Sequence, residues 1–216
     1  MPSALHCPSN IDIATELLDW CRNYLMAENE EIKRPLGNQV VCPFVRGSLD
    51  TDSLRMAFHP EVNGHDEPTI EAIVASYIPI FKRLPPYDNR ELLRKALLIV
   101  FPGIEERNVG VLDHVYANLK RKFVDEGLMI GQFHQRCDER GIYNPRFKVS
   151  RSPYPFIAVR HMAIHDILFL GSDLDWFRIY NLRFGHRFRA PDDLHKDERH
   201  YVELYERARA KALEMI

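Results

Sequence analysis

Arg151–Leu170, RSPYPFIAVRHMAIHDILFL, is the most apolar stretch of the chain, yet it carries Arg160, His161, His165 and Asp166 in its middle. From Pro155 onward, a two-residue period puts Ile157, Val159 and His161 on one face and Phe156, Ala158 and Arg160 on the other, as the alternating side chains of a strand require. The stretch therefore reads as a buried strand that leaves the core through an arginine and a histidine and at once meets a second histidine and an aspartate. A strand end of that composition is a candidate site for chemistry.

The segments before it supply partners for that strand. Leu128–Cys137, LMIGQFHQRC, reads as a strand with His134 near its end, joined to the first by the turn-rich GIYNPRFKVSRSP. Ala96–Phe101 is a continuous apolar run closed by Pro102-Gly103, expected to be a central strand buried on both faces. Leu54, Met56 and Phe58 alternate with Arg55, Ala57 and His59 in a half-buried strand stopped by Pro60.

Helices are expected between and around these strands. Ser9 or Asn10 caps a first helix to about Ala27, ended by the acidic Glu28–Glu31 and the Pro35-Leu36-Gly37 break. Asp66, with Pro68 in the first turn, opens a second toward Phe81 that Pro79 kinks or ends early. Asp88, beyond Pro85-Pro86, is a candidate cap for a short piece to about Arg94. Val109, Leu112, Val115, Leu119 and Phe123 form an apolar stripe stopped by Gly127. Asp173–Phe184 is expected to be a helix ended by Gly185, and Pro191 to start a long amphipathic C-terminal helix over 191–216. Strands joined by helices and one long loop predict a single α+β domain over 1–216, its mostly antiparallel sheet covered by helices mainly on one side, with residues 1–9 as a flexible tail.

Composition narrows the partners. The chain has 216 residues, 45% of them apolar, with a formal charge of −2, so it can fill a core and is not a general polyanion binder; no nucleic-acid partner is expected. Acidic neighbours balance local clusters such as Lys120-Arg121-Lys122. Four scattered cysteines, Cys7, Cys21, Cys42 and Cys137, suit reduced thiols better than a disulfide framework. The N-terminus reads as no signal peptide, and no segment of about 18 apolar residues is present to span a bilayer. A cytoplasmic protein without a membrane partner is the expectation.

Three clusters carry candidate chemistry. His161, His165 and Asp166 offer two imidazoles and a carboxylate, part of a two-His-one-carboxylate iron site. That spacing faces one way only on a helix; on a strand the histidines diverge, and Asp166 is then an ordinary helix cap. His134 or His161 alone satisfies the demand of an axial haem ligand, although a strand-end histidine often just bonds a backbone carbonyl. With no CxxC in the chain, structural zinc is not expected. Cys42-Pro43 reads either as a thiolate ligand or reactive thiol, or as a small buried hydrophobe before a turn. Arg146, Lys148 and Arg151 read as solvated charge or an anion site, whereas Arg160 lies within an apolar run where an unpartnered guanidinium is costly. No GxSxG, HExxH, P-loop or GxGxxG motif occurs.

Val41-Cys42-Pro43-Phe44-Val45, Phe133-His134, Gly141–Phe147 and the run from Arg151-Ser152-Pro153 through Ile157–Met162 to Leu170 resemble an uncharacterised microbial family often met near biosynthetic genes. More distantly, the CPF segment followed by LRMAF looks like the YqcI/YcgG family, some members of which are haem proteins that oxygenate an amino-acid nitrogen. The resemblance implies a haem-dependent oxidoreductase acting on a small amino-acid-like substrate. It would use His134 or His161 as axial ligand, place Cys42 near the pocket and set Arg160 against a propionate or substrate carboxylate, with Arg160 and Asp166 as the catalytic pair. Two other readings stand beside it. One is non-haem iron held by His134, His161, His165 and Asp166, and the other is a non-catalytic domain binding a small molecule or a protein partner. The charged C-terminal helix is free to cover the sheet or meet a second subunit in a homodimer.

Overall fold

The computed structural model describes residues 8–32, 39–88, 91–190, 192, 194–196 and 198–214. The expected tail with Cys7, the Pro35-Leu36-Gly37 break and the Pro191 helix start lie outside them. The first helix, α1 (Asn10–Trp20), is capped by Ser9, whose Oγ accepts from the Asp12 N–H at 3.2 Å while the Asp12 carboxylate accepts from the Ser9 N–H at 2.9 Å. Beyond Trp20 the backbone widens into a π turn over Cys21–Leu25, so the helical path ends close to where the apolar spacing stops. A short helix, α2 (Val45–Asp50), follows the Pro43 turn and leads into strand β1 (Leu54–Phe58).

Helix α3 (Glu67–Arg83) starts at Asp66, whose carboxylate accepts from the Thr69 N–H, and runs on past Pro79. Lost with the proline N–H is one i→i−4 bond; the packing of Ile70, Val74, Ile78 and Phe81 into the core keeps the helix whole. A 3₁₀ turn at Leu92–Arg94 precedes β2 (Ala96–Val100), and α4 (Val111–Asp125) ends at Gly127, whose φ of +72° is the left-handed backbone that glycine tolerates best. Next come β3 (Leu128–Phe133) and β4 (Phe156–His161), then a 3₁₀ turn at Ile164–Asp166 and α5 (Ile167–Leu170), and finally α6 (Leu174–Phe188) and α7 (Val202–Glu214).

The four strands form one sheet in the order β1-β2-β4-β3. β1 and β2 are parallel, linked across α3, and the other two pairings are antiparallel. The chain is thus an α+β domain with a mostly antiparallel sheet, as its pattern predicts. Leu97, Ile99, Ile157, Val159, Leu128 and Ile130 face α3 and α4 in the main core. The other face packs Leu98, Val100 and Phe156 against Ile13 and Leu17 of α1 and is covered only in part. A third cluster joins Met129 and Met162 to α5, α6 and α7.

Two helix boundaries depart from expectation. Gly185 lies inside α6 rather than ending it, because it makes room for α7: a Cβ there would sit 3.0 Å from the Tyr205 hydroxyl. The C-terminal α-helix begins at Val202, after a 3₁₀ turn at Arg199–Tyr201, and it buries Tyr205 and Ala208 against the α5–α6 layer rather than covering the sheet. Among the described residues, no helix is long and apolar enough to cross a membrane.

Candidate functional site

The partly covered face of the sheet holds a cavity of about 300 Å³. Its floor follows from strand register. Leu98 of β2 faces Ala158 of β4, and Ala158 faces Gly131 of β3, so one cross-strand row loses the bulk that would otherwise fill the space. A Cβ built on Gly131 would find only Phe133 Cε2 within 4 Å among the described residues, at 3.4 Å. Trp20, Cys21 and Leu25 form one wall, the 41–45 segment a second, and Leu168 and Phe169 of α5 a third. Trp20 meets Phe133 and Phe156 edge to face, at ring-centroid distances of 6.0 and 5.9 Å. Leu93, Ile142 and Phe169, large apolar side chains left exposed, also belong to the lining.

At one end of the cavity stands the Arg160–Asp166 pair. Strand alternation turns Arg160 to this face, and the Ile164–Asp166 turn brings the carboxylate back to it. Arg160 Nη1 and Nη2 donate to Asp166 Oδ2 and Oδ1 at 2.8 and 2.6 Å, Nη1 also donates to the His161 carbonyl at 3.0 Å, and the Ala163 N–H donates to Asp166 Oδ2 at 2.7 Å. Asp166 is fully buried. Burial alone would raise its acidity constant, but the guanidinium and the Ala163 N–H hold the carboxyl below the ordinary aspartate value of 3.8. Phe44 covers the guanidinium at 4.3 Å and lies 4.6 Å from the His165 ring. His165 Nε2 is in turn 3.6 Å from Asp166 Oδ1. The expected Arg160–Asp166 partnership is therefore present as a bidentate, charge-compensated pair.

Two thiols line the same cavity. Cys42 is half-buried, with its N–H donating to the Leu25 carbonyl at 3.0 Å, and Cys21 is buried. Burial pushes the Cys21 thiol up to about 12, with Cys42 adding to the rise. Cys21, Cys42 and Cys137 are free thiols.

The histidines are not gathered. His161 turns to the opposite face of β4, where its ring lies 5.2 Å from that of Phe81. Burial first, and then the cations Lys95, Arg183 and Lys82, push it down to about 4. His134 follows the far end of β3. His161 pairs with Leu128 at the near end, which puts the two histidines roughly 20 Å apart at the strand rise per residue. They cannot share one ion, and neither lines the cavity. The four-residue set His134, His161, His165 and Asp166 is thus not assembled, because strand alternation sends His161 and His165 to different faces. His134 instead meets a residue no motif indicated: its Nε2 pairs with Asp113 Oδ1 at 3.1 Å, and Gln132 Nε2 donates to the same oxygen at 3.3 Å.

Residues 14–195 match a family model described as a domain of unknown function (DUF6875). The chain belongs to that family. No curated protein and no solved structure matches it. The DUF6875 span contains the Arg160–Asp166 pair, the Asp113–His134 pair and all of the cavity lining except Tyr201.

Sequence reasoning missed the cavity, the Phe44 lid over Arg160 and the role of Asp113. Phe44 had a signal, since it follows the Cys42-Pro43 break. Asp113 had none, being one acidic residue in the first turn of an amphipathic helix. Gly131 had a weak one, because a glycine inside a strand marks a place where something else needs space.

Proposed function

We propose that this protein binds a compact, largely apolar small molecule in the cavity beneath the N-terminal segment. The observation that carries the proposal is the floor, where Gly131 and Ala158 leave unfilled a space walled by aromatic and aliphatic side chains. At about 20–30 Å³ for each non-hydrogen atom, 300 Å³ holds roughly ten to fifteen such atoms, the size of a small aromatic metabolite. Arg160 is a weak anchor for a ligand carboxylate, because Asp166 already neutralises it; the ligand is recognised by shape and apolar contact, with the Cys42 thiol as a polar neighbour.

The haem-dependent oxidoreductase reading rests on the likeness to the YqcI/YcgG family. His134 and His161 lie off the cavity, Cys42 and His165 are the donors along it, and a haem is several times larger than the space. These residues do not fit a haem.

Trp20, one of two tryptophans, reports on occupancy once Trp176 is replaced by phenylalanine. Saturable binding of an anilinonaphthalene sulfonate dye, with energy transfer from Trp20, is expected. Gly131→Val and Ala158→Leu, which fill the floor, should each weaken it about tenfold or more, equivalent to at least about 1.4 kcal/mol, with no fall in melting temperature. Dye binding untouched by both substitutions would refute the proposal, as would a Soret band at stoichiometry in protein made with haem precursor.

A further inference from the structure

Away from the cavity, α4, the end of β3 and the turn after it converge. The turn is His134-Gln135-Arg136-Cys137, closed by the Cys137 N–H donating to the His134 carbonyl at 3.2 Å. It is tied to the next segment by the His134 N–H on the Ser150 carbonyl and the Ser152 N–H on the His134 carbonyl, at 3.3 and 3.4 Å. A two-residue spacer within one tight turn puts an imidazole and a thiol on the same side, the arrangement that paired metal ligands use. Asp113, in the first turn of α4, supplies a carboxylate opposite them. One nitrogen of His134, one carboxylate oxygen of Asp113 and the Cys137 sulfur all lie within 4.8 Å of one another.

A second observation concerns an orphaned atom. His134 is 1% exposed, and its Nδ1 has no hydrogen-bond partner among the described residues. An ionised carboxylate only accepts, so the proton of the neutral ring sits on Nε2, against Asp113, and Nδ1 presents a lone pair. A buried lone pair with nothing to receive is costly and calls for a partner. Cys137, 0% exposed, has only a long contact from Sγ to the Gln132 carbonyl, at 3.9 Å.

We propose that Asp113, His134 and Cys137 form a binding site for a divalent cation of the zinc class, with one coordination position open to solvent. A sulfur, a nitrogen and an oxygen donor suit zinc, and the thiol disfavours magnesium or calcium. On binding, the Cys137 S–H loses its proton to solvent and a sulfur–metal bond forms, without change of oxidation state. The donors close from 4.8 Å to about 3.5 Å, the ligand–ligand separation set by zinc–sulfur and zinc–nitrogen bonds in a tetrahedron. Gln132, which bonds Asp113 Oδ1, positions the carboxylate, and the Asp113 side chain, 43% exposed, marks the route by which the cation enters.

The test uses the full chain, stripped with chelator under a phosphine reductant and titrated with Co²⁺ and then Zn²⁺. One equivalent of Co²⁺ should give a thiolate-to-metal charge-transfer band in the near ultraviolet, which Zn²⁺ then displaces. Cys137→Ser should abolish the band. Because Cys137 is buried and that variant is at risk of misfolding, Asp113→Asn is the second probe. It should keep the melting temperature of the metal-free protein while weakening Co²⁺ binding about tenfold to a hundredfold. His114→Gln, at an exposed histidine of the same helix, should change nothing. A wild-type protein with no charge-transfer band, a band that survives Cys137→Ser, or unaltered affinity in Asp113→Asn would each overturn the proposal.

Discussion

Asp166→Asn isolates the buried ion pair. The wild-type carboxylate is sealed from solvent and receives three short charge-assisted hydrogen bonds, two from Arg160 and one from the Ala163 N–H, at 2.6–2.8 Å. Asparagine keeps an acceptor for Ala163 but leaves a guanidinium with one-fifth of its side-chain surface exposed and no counter-charge. Breaking one side of such a pair costs about 3–5 kcal/mol, a large part of the roughly 5–15 kcal/mol that holds a domain folded. In a chain of this length that corresponds to a fall in melting temperature of about 6–20 °C. Urea denaturation followed by circular dichroism measures it. The paired replacement Arg160→Met with Asp166→Leu removes both charges and should recover most of the loss, because no ion is then stranded. Asp166→Asn within about 1 kcal/mol of wild type, or a double variant no better than the single one, would refute the reasoning. Because the folded carboxyl is held below 3.8, the pair's contribution is whole above that value and disappears as pH falls through the depressed folded value.

His161 predicts a second pH window with its own sign. Its folded value of about 4 lies below the ordinary 6.5, so the unfolded chain binds the extra proton between them. Stability should fall as pH drops from 6.5 to 4 by up to about 3 kcal/mol, reduced to roughly 1–2 by the ring's partial exposure. His161→Gln should flatten that slope, and parallel stability–pH curves for the two proteins would count against it. Tyr180→Phe removes the hydroxyl that donates to the buried Ile164 carbonyl and should cost about 1–3 kcal/mol by chemical denaturation; no change would mean that water replaces the donor. Gly127→Ala, at φ +72° with the Arg183 guanidinium in the way of a Cβ, should cost about 1 kcal/mol, and an unaltered denaturation midpoint would contradict that backbone argument.

Much of the fold was legible because its signals are local. The LLIV run became β2 and the alternation through Arg160 became β4, while Ser9, Asp66 and Asp173 each cap a helix with their own carboxylate or hydroxyl. α2 escaped notice because six residues containing Gly47 carry no apolar stripe. Gly185 misled because a glycine that admits a neighbouring helix looks the same in sequence as one that ends its own. Within the site, a buried arginine in an apolar run demands an anion, and Asp166 is that anion. The cavity was illegible, since it depends on which residue of β3 lies opposite Ala158. The His134–Asp113 contact depends on the packing of α4 against β3, which the spacing of neither residue encodes.

Strand order also bears on how the chain reaches this state. β2, the most apolar strand, lies at the centre of the sheet, but its inner neighbour β4 is made some sixty residues later, as the Leu98–Ala158 pairing shows. During synthesis β1, α3 and β2 can assemble first and leave one edge of β2 open until residues 156–161 leave the ribosome. An open LLIV edge is a template for pairing with another chain. Interruptions of translation between α4 and β4 should therefore be the steps at which this protein is most prone to aggregate, and fragments ending there should need a chaperone where the full chain does not.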